Sequence, residues 1–361
     1  MNRNYSIDYV RGAMAMAILL YHLCSWTIGL PSPESLLGRL GIYGVSIFYV
    51  VSGVSLYISY HKKEWSLGNI VHFFAKRFFR LAPAYWIAMM IAVPVILLNS
   101  SSFTISSSTY FYNISLLFGI FEPEKYLITG GWSIGNEVVF YLIFPVMISC
   151  ASRKWIFMVM YAASFYIYLY FAFIEISPDK PLGSQWYTYI NPFNQLFFFT
   201  SGMMIGWFAN NVSYKLTSRE SSSMLVVCAA LLLIFPFNGG DIGLVTQWNR
   251  VLFTVLCVGI VFFAFHVITD VKSIICRVLK FLGDISYTIY ILHGAFYSLT
   301  NIYIWPRFGI DSANIKLAFY IFGFTPLLMG ICYIIFNRIE MPVMRIVKNK
   351  SWGIYYGKSG A

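Results

Sequence analysis

The sequence predicts an all-α protein, a polytopic integral-membrane helical bundle of about ten transmembrane helices with both termini in the cytoplasm. Three observations lead there. Of 361 residues, 59% are hydrophobic and 11% charged, with a mean hydropathy of +0.69. A water-soluble domain carries about a quarter charged residues, so this chain has too few to cover itself and the bilayer must be its solvent. Apolar runs of crossing length recur along the whole chain, and basic residues gather in alternate connections between them.

Roughly twenty apolar residues cross the hydrocarbon core. That length marks spans at 7–27, then 41–60, which Lys62 and Lys63 close, and 82–99, which Lys76, Arg77 and Arg80 precede and the serine-rich 100–108 follows. Next come 130–150, closed by Arg153 and Lys154, then 155–175, 192–210 and, after Lys215 and Arg219, a short seventh span at 223–238. The last are 250–268, followed by Lys272, Arg277 and Lys280, then 285–305 and 315–336, with Arg338, Arg345, Lys348, Lys350 and Lys358 beyond. The alternate loops hold only Arg39, Lys125, Lys180, Arg250, Arg307 and Lys316. Cytoplasmic loops carry the excess of Lys and Arg, which sets the orientation. One membrane domain, 1–345, and a short basic tail, 346–361, account for the chain.

Composition also excludes. The net charge of +11 is dispersed in short clusters, the pattern of topology signals and not of a nucleic-acid surface. Cys24, Cys150, Cys228, Cys257, Cys276 and Cys332 stand singly, without the spacing of a disulfide framework or a metal site. No small-x-small cleavage site follows the first apolar run, so it reads as a retained helix. The sequons at Asn99, Asn113 and Asn211 read as chance.

Asp8, Arg11 and His22 interrupt the first span, and ionisable groups there mark a working site. Eleven residues at about 100° each make three turns and about 20°, so Arg11 and His22 share a face, about 16 Å apart along the axis. Arg11 lies toward the cytoplasm and His22 in the outer half. A ligand with an anionic head and a distant reactive tip spans that interval, and the phosphates and pantetheine arm of coenzyme A fit it. Histidine accepts the proton of a hydroxyl attacking a thioester, and arginine pairs with phosphate. The bland alternatives are an Arg11 that snorkels to the interface and a His22 bonded to a backbone carbonyl.

Other stretches add candidates. In "GGWSIGNEVVFYLIFP", Glu137 falls about two turns into the fourth span, at the depth of His22; it either orients the imidazole or pairs structurally with a buried group. In "AKRFFRLAPAYW", Lys76, Arg77 and Arg80 sit among Phe78, Phe79, Tyr85 and Trp86, suited to nucleotide phosphates and an adenine, or simply to anchoring at the interface. "FYVVSGVSLYIS" places Ser52, Gly53 and Ser55 mid-span, where small residues favour close packing. "GDISYTIYILHG" sets Ser286, Tyr290 and His293 on one face, bordering a ligand tunnel or bonding across helices.

Together these stretches resemble the acyltransferase-3 family, integral-membrane acyltransferases that mostly O-acetylate bacterial glycans. Arg11 and His22 look like its first-span pair, "FYVVSGV" its second-span motif and "KRFFRLAPAYW" its third. "WSIGNEVVFYLIFP", "LGDISYTIYILHG" and "IEMPVMR" are similar to its Trp-Ser…Glu, Ser-Tyr…His and Glu-x-Pro segments. Two departures stand out: Ile134-Gly135-Asn136 stands where the family often has Leu-Ser, and the sequence stops soon after its last expected span, where some members append a soluble esterase-like domain. The transfer is therefore expected to finish within the bundle or on a separate partner. The resemblance implies acetyl-CoA as donor, His22 as the catalytic residue and the arginine clusters as its contacts.

The expectation is an O-acetyltransferase of the bacterial inner membrane, moving acetyl from cytoplasmic acetyl-CoA to a hydroxyl of an envelope or exported glycan, lipid-linked or free. His22 is the base and Glu137 its orienting partner; Arg11, Lys76, Arg77, Arg80, Ser286 and Tyr290 hold the donor. Membrane lipids and a second copy of the chain are the further partners, with no nucleic acid and no metal. The alternatives are a small-molecule acceptor, a longer acyl group, or a proton-coupled transporter or flippase using His22, Glu137 and His293.

Overall fold

The computed structural model describes residues 4–99, 104–212, 216–268 and 273–349. Among them there is no strand, and ten long helices carry the architecture. They are α1 (Tyr5–Thr27), α2 (Leu36–Tyr60), α3 (Leu67–Asn99), α4 (Gly131–Ser149) and α5 (Lys154–Tyr170). Then follow α6 (Pro192–Asn211), α7 (Ser218–Ile234), α8 (Gln247–His266), α9 (Ile274–Tyr303) and α10 (Ala313–Asn349).

Seven of these are long and apolar enough to cross a membrane: α1 to α4, α5 with its π-helical continuation to Glu175, α8 and α10. The other three expected spans are helices that miss that measure. α7 has 17 residues. α6 buries Asn194, Gln195, Thr200 and Ser201, and α9 buries Ser286, Thr288 and His293, so their polar groups face protein and not lipid. The chain is thus an all-α membrane bundle.

Several boundaries move. α3 begins at Leu67 instead of 82 because the helix runs straight through Lys76, Arg77 and Arg80, and it carries Pro83 and Pro94 inside it. The basic cluster therefore sits on a rigid helix. α9 begins at Ile274, where the Ser273 hydroxyl accepts from Cys276 N, and Lys280 pairs with Asp284 at 2.9 Å one turn on. Within α10, the turns Tyr320–Phe324 and Phe336–Glu340 widen to π geometry. Residues 346–349 belong to this helix, and the rest of the expected tail lies outside the described residues, as do Lys215 and Lys272.

Two glycine crossings hold the centre. α1 packs on α9 where a Cβ on Gly12 would lie 2.7 Å from Gly283 N, and one on Gly283 would lie 2.3 Å from Asp8 O. α2 packs on α6 in the same way: Cβ atoms on Gly53 and Gly202 would each come within 2.0 Å of the facing carbonyl. Gly53 thus serves close packing, as its sequence context suggests. At one end of the bundle, Asn4 Nδ2 donates to Phe265 O at 2.7 Å and Ser6 to Val267 O at 2.8 Å, while Ile268 N donates to Ser218. The starts of α1 and α7 and the end of α8 therefore share one side.

The segment before α4 descends into the bundle. Thr129 fills the space beside Gly294 of α9, and the Tyr290 hydroxyl donates to Gly130 O at 3.2 Å. Gly130 has φ 77°, and a Cβ there would lie 2.9 Å from the Tyr290 ring, so only glycine fits both demands. Asn113 pins this segment from the side. Its amide donates to Thr109 O and Lys125 O and accepts from the Tyr85 hydroxyl (2.6 Å) and Leu127 N (3.1 Å). Fully buried and saturated, this asparagine is structural, in keeping with its sequon being chance.

Candidate active site

Two cavities lie along the face of α1 that carries Arg11 and His22. The first, of about 230 Å3, is bounded by Arg11, Arg77 and Arg80, with Ser286 and Tyr290 of α9 completing the wall. Ser52 and Ser55 also border it, so they belong to the site while Gly53 between them packs against α6. Arg11 donates to the Ser286 hydroxyl at 3.2 Å and lies 3.7 Å from the Asp8 carboxylate. The Arg77 guanidinium sits 6.0 Å from the rings of both Phe73 and Tyr141, and its buried Nε has no hydrogen-bond partner among the described residues. Three guanidiniums against one lining carboxylate make a positively charged cavity with fork-shaped donors, the chemistry that binds phosphate.

Lys76 is not part of it. One residue from Arg77 on a continuous helix, it points about 100° away, whereas Arg77 and Arg80, three apart, share a face. Lys76, which the sequence groups with Arg77 and Arg80, therefore stands outside this cavity.

Glu137 is the lining carboxylate of this first cavity, and it accepts the Tyr141 hydroxyl at 2.8 Å. It does not meet His22. The sequence-based depth assumed that α4 starts at the membrane surface, but its first residues already stand at the level of Tyr290. Glu137, two turns further on, falls among the arginines. Nor do His22, Glu137 and His293 form the continuous proton path of the transporter alternative, because Glu137 lies in one cavity and the two histidines meet at the other.

The second cavity, of about 340 Å3, holds His22. Its imidazole stacks on Trp26, with centroids 4.9 Å apart, and on His293 at 5.2 Å. His293 is fully buried; its Nδ1 faces Ile289 O at 3.2 Å and so must carry the proton, which leaves Nε2 as an acceptor without a partner among the described residues. Trp132, Trp186, Tyr126 and Tyr189 supply aromatic walls, and Asp241 supplies the one lining carboxylate. Trp186 Nε1 donates to the Tyr126 hydroxyl at 3.0 Å. Of these residues the sequence singles out His22 as the base, and His293 only as one of a set that borders a tunnel or bonds across helices. Tyr126, Trp186 and Asp241 come from three separate connections, and no local pattern joins them.

Tyr290 and Val45 border both cavities. Tyr290, placed by the sequence among the donor contacts, thus stands with Val45 between the arginines and the histidines, held in place by its bond to Gly130 O.

The sequence model of a family described as an acyltransferase domain matches residues 4–337. No curated protein and no solved structure matches the chain. The family match begins at the cap of α1 and ends inside α10, taking in every residue of both cavities. The chain therefore belongs to the acyltransferase-3 family and is a membrane acyltransferase.

Proposed function

We propose that this protein is a membrane O-acetyltransferase that receives acetyl-CoA in the arginine cavity and passes the acetyl group past Tyr290 to a glycan hydroxyl beside His22. The observation that carries this reading is the pair of cavities, one lined by three arginines and one holding a histidine, on the same face of α1 with Tyr290 and Val45 between them. With the basic loops inside, the donor enters from the cytoplasm and the acceptor, free or lipid-linked, from the opposite side of a bacterial inner membrane.

His22 takes the acceptor hydroxyl's proton as that oxygen attacks the thioester carbonyl. The C–O bond forms, the C–S bond breaks, and the coenzyme A thiolate leaves to be reprotonated. Stacking on Trp26 and His293 holds the imidazole in place. Glu137 acts on the donor side, where its charge balances part of the arginine cluster.

The test uses sealed vesicles of known orientation. Acetyl-CoA should be consumed only from the cytoplasmic face and the glycan acetylated only at the other. His22→Ala should lower transfer by about 10²–10⁴-fold, the usual contribution of a positioned base, while coenzyme A binding persists. Near-normal transfer in that variant would overturn the mechanism, and acetylation on the donor's side would overturn the sidedness.

A further inference from the structure

Asp241 opens the short helix Gly240–Val245 between α7 and α8 and reaches the second cavity, where no lysine or arginine accompanies it. Its carboxylate makes no hydrogen bond or ion pair among the described residues, and the residue is half-buried. Burial pushes its carboxyl up from the ordinary value through desolvation alone, as befits a carboxylate with no cation beside it. Such a group gains most from a ligand that brings its own donors.

The walls around it are indoles. Trp132 and Trp186 meet at 80° with centroids 5.8 Å apart, which gives the cavity two apolar surfaces at a right angle. A pyranose matches this combination: its C–H face lies on an indole, and neighbouring hydroxyls donate to a carboxylate. An acidic sugar would instead bring a second negative charge into a partly desolvated space, where like charges repel strongly.

We propose that Asp241, Trp132 and Trp186 form an acceptor subsite that takes an uncharged saccharide and rejects acidic ones. The inference rests on the glycan acceptor proposed above and narrows its class. Asp241 is a specificity-determining residue, and His22 keeps the chemistry.

The experiment reads saccharide binding without donor, so that it can fail separately from acetyl transfer. The full chain in lipid nanodiscs is titrated with the methyl glycosides of glucose, galactose and mannose and with the matching uronates, which differ only at C6. At least one neutral glycoside should bind about tenfold more tightly than its uronate, a ratio equivalent to about 1.4 kcal/mol. In Asp241→Asn that ratio should collapse toward one, with retained coenzyme A binding as the control for folding, and Trp186→Ala should weaken the neutral glycoside. An unchanged ratio in Asp241→Asn overturns the inference, as does a wild type that binds neutral and acidic glycosides equally or binds none. If Asp241→Asn loses coenzyme A binding, the wild-type ratio decides alone. Acetyl transfer to a glycan with an unaltered ratio would remove this subsite and leave the enzyme reading standing.

Discussion

Replacing Gly12 with alanine tests whether the α1–α9 crossing sets the geometry of the arginine cavity. The new Cβ would lie 2.7 Å from Gly283 N, 2.8 Å from Leu282 Cβ and 3.0 Å from Leu279 O. Carbon contacts settle near 3.5–4.0 Å, so the helices must part by about 1 Å, and the atoms in the way are mostly backbone. Arg11 is the next residue, and its 3.2 Å bond to Ser286 would open to about 4 Å, outside hydrogen-bond range. Overpacking costs about 1–3 kcal/mol, offset by about 1 kcal/mol from alanine's better helix propensity. The expected outcome is a lowered unfolding midpoint and coenzyme A binding weakened about tenfold, or about 1.4 kcal/mol. Gly330→Ala on α10 is the matched control, because nothing lies within 4 Å of its Cβ position; it should be neutral or stabilising by up to about 1 kcal/mol. Intrinsic-fluorescence melts at one scan rate and calorimetric titration with coenzyme A read both variants. If Gly12→Ala matches Gly330→Ala in midpoint and affinity, the crossing does not position Arg11.

Two further substitutions probe the neighbouring features. Arg77→Ala and Arg80→Ala should each weaken coenzyme A binding by about 1.5–3 kcal/mol, the range for hydrogen bonds to charged groups, while Lys76→Ala changes it little; unchanged affinity in both arginine variants would mean that the cluster acts only as an interfacial anchor. Asn113→Ala strands Leu127 N, Lys125 O and the Tyr85 hydroxyl, so it should destabilise by about 2–4 kcal/mol. An unchanged melt for Asn113→Ala would show that water replaces the amide.

The helical bundle was legible because bilayer thickness imposes one length scale on the chain. Boundaries were less so where a helix leaves the apolar run: α3 and α9 extend through charged turns that hydropathy reads as loop. The arginine cavity was legible because Arg11 lies in a membrane helix, where a charge needs a reason, and because Arg77 and Arg80 fall three apart. Glu137 was misplaced for a tertiary reason. The 126–130 segment dips beside α9, so counting residues from the start of α4 does not measure depth from the surface. The aromatic cavity around His22 was invisible, since it is assembled from connections that meet only in the fold.

One register relation ties these features together. Gly12 faces Gly283, His22 stacks on His293, and Trp26 packs at a tilt against Tyr297, whose hydroxyl donates to Trp26 O at 2.9 Å. The three offsets are identical: 283 − 12, 293 − 22 and 297 − 26 each equal 271. Helices α1 and α9 therefore run parallel and in step for about four turns, as two odd-numbered spans of an alternating bundle must. Arg11 is the exception that explains the first cavity. In that register it stands opposite Leu282, and its guanidinium reaches four residues, or about 6 Å, further along α9 to Ser286. The long arm brings the charge toward the partition at Tyr290, while the glycine contact behind it fixes the level at which the two imidazoles meet. The interval between Arg11 and His22 is thus set by packing as well as by sequence spacing. A change that slides α1 against α9 by one residue would separate the histidines and turn Arg11 from its cavity at the same time.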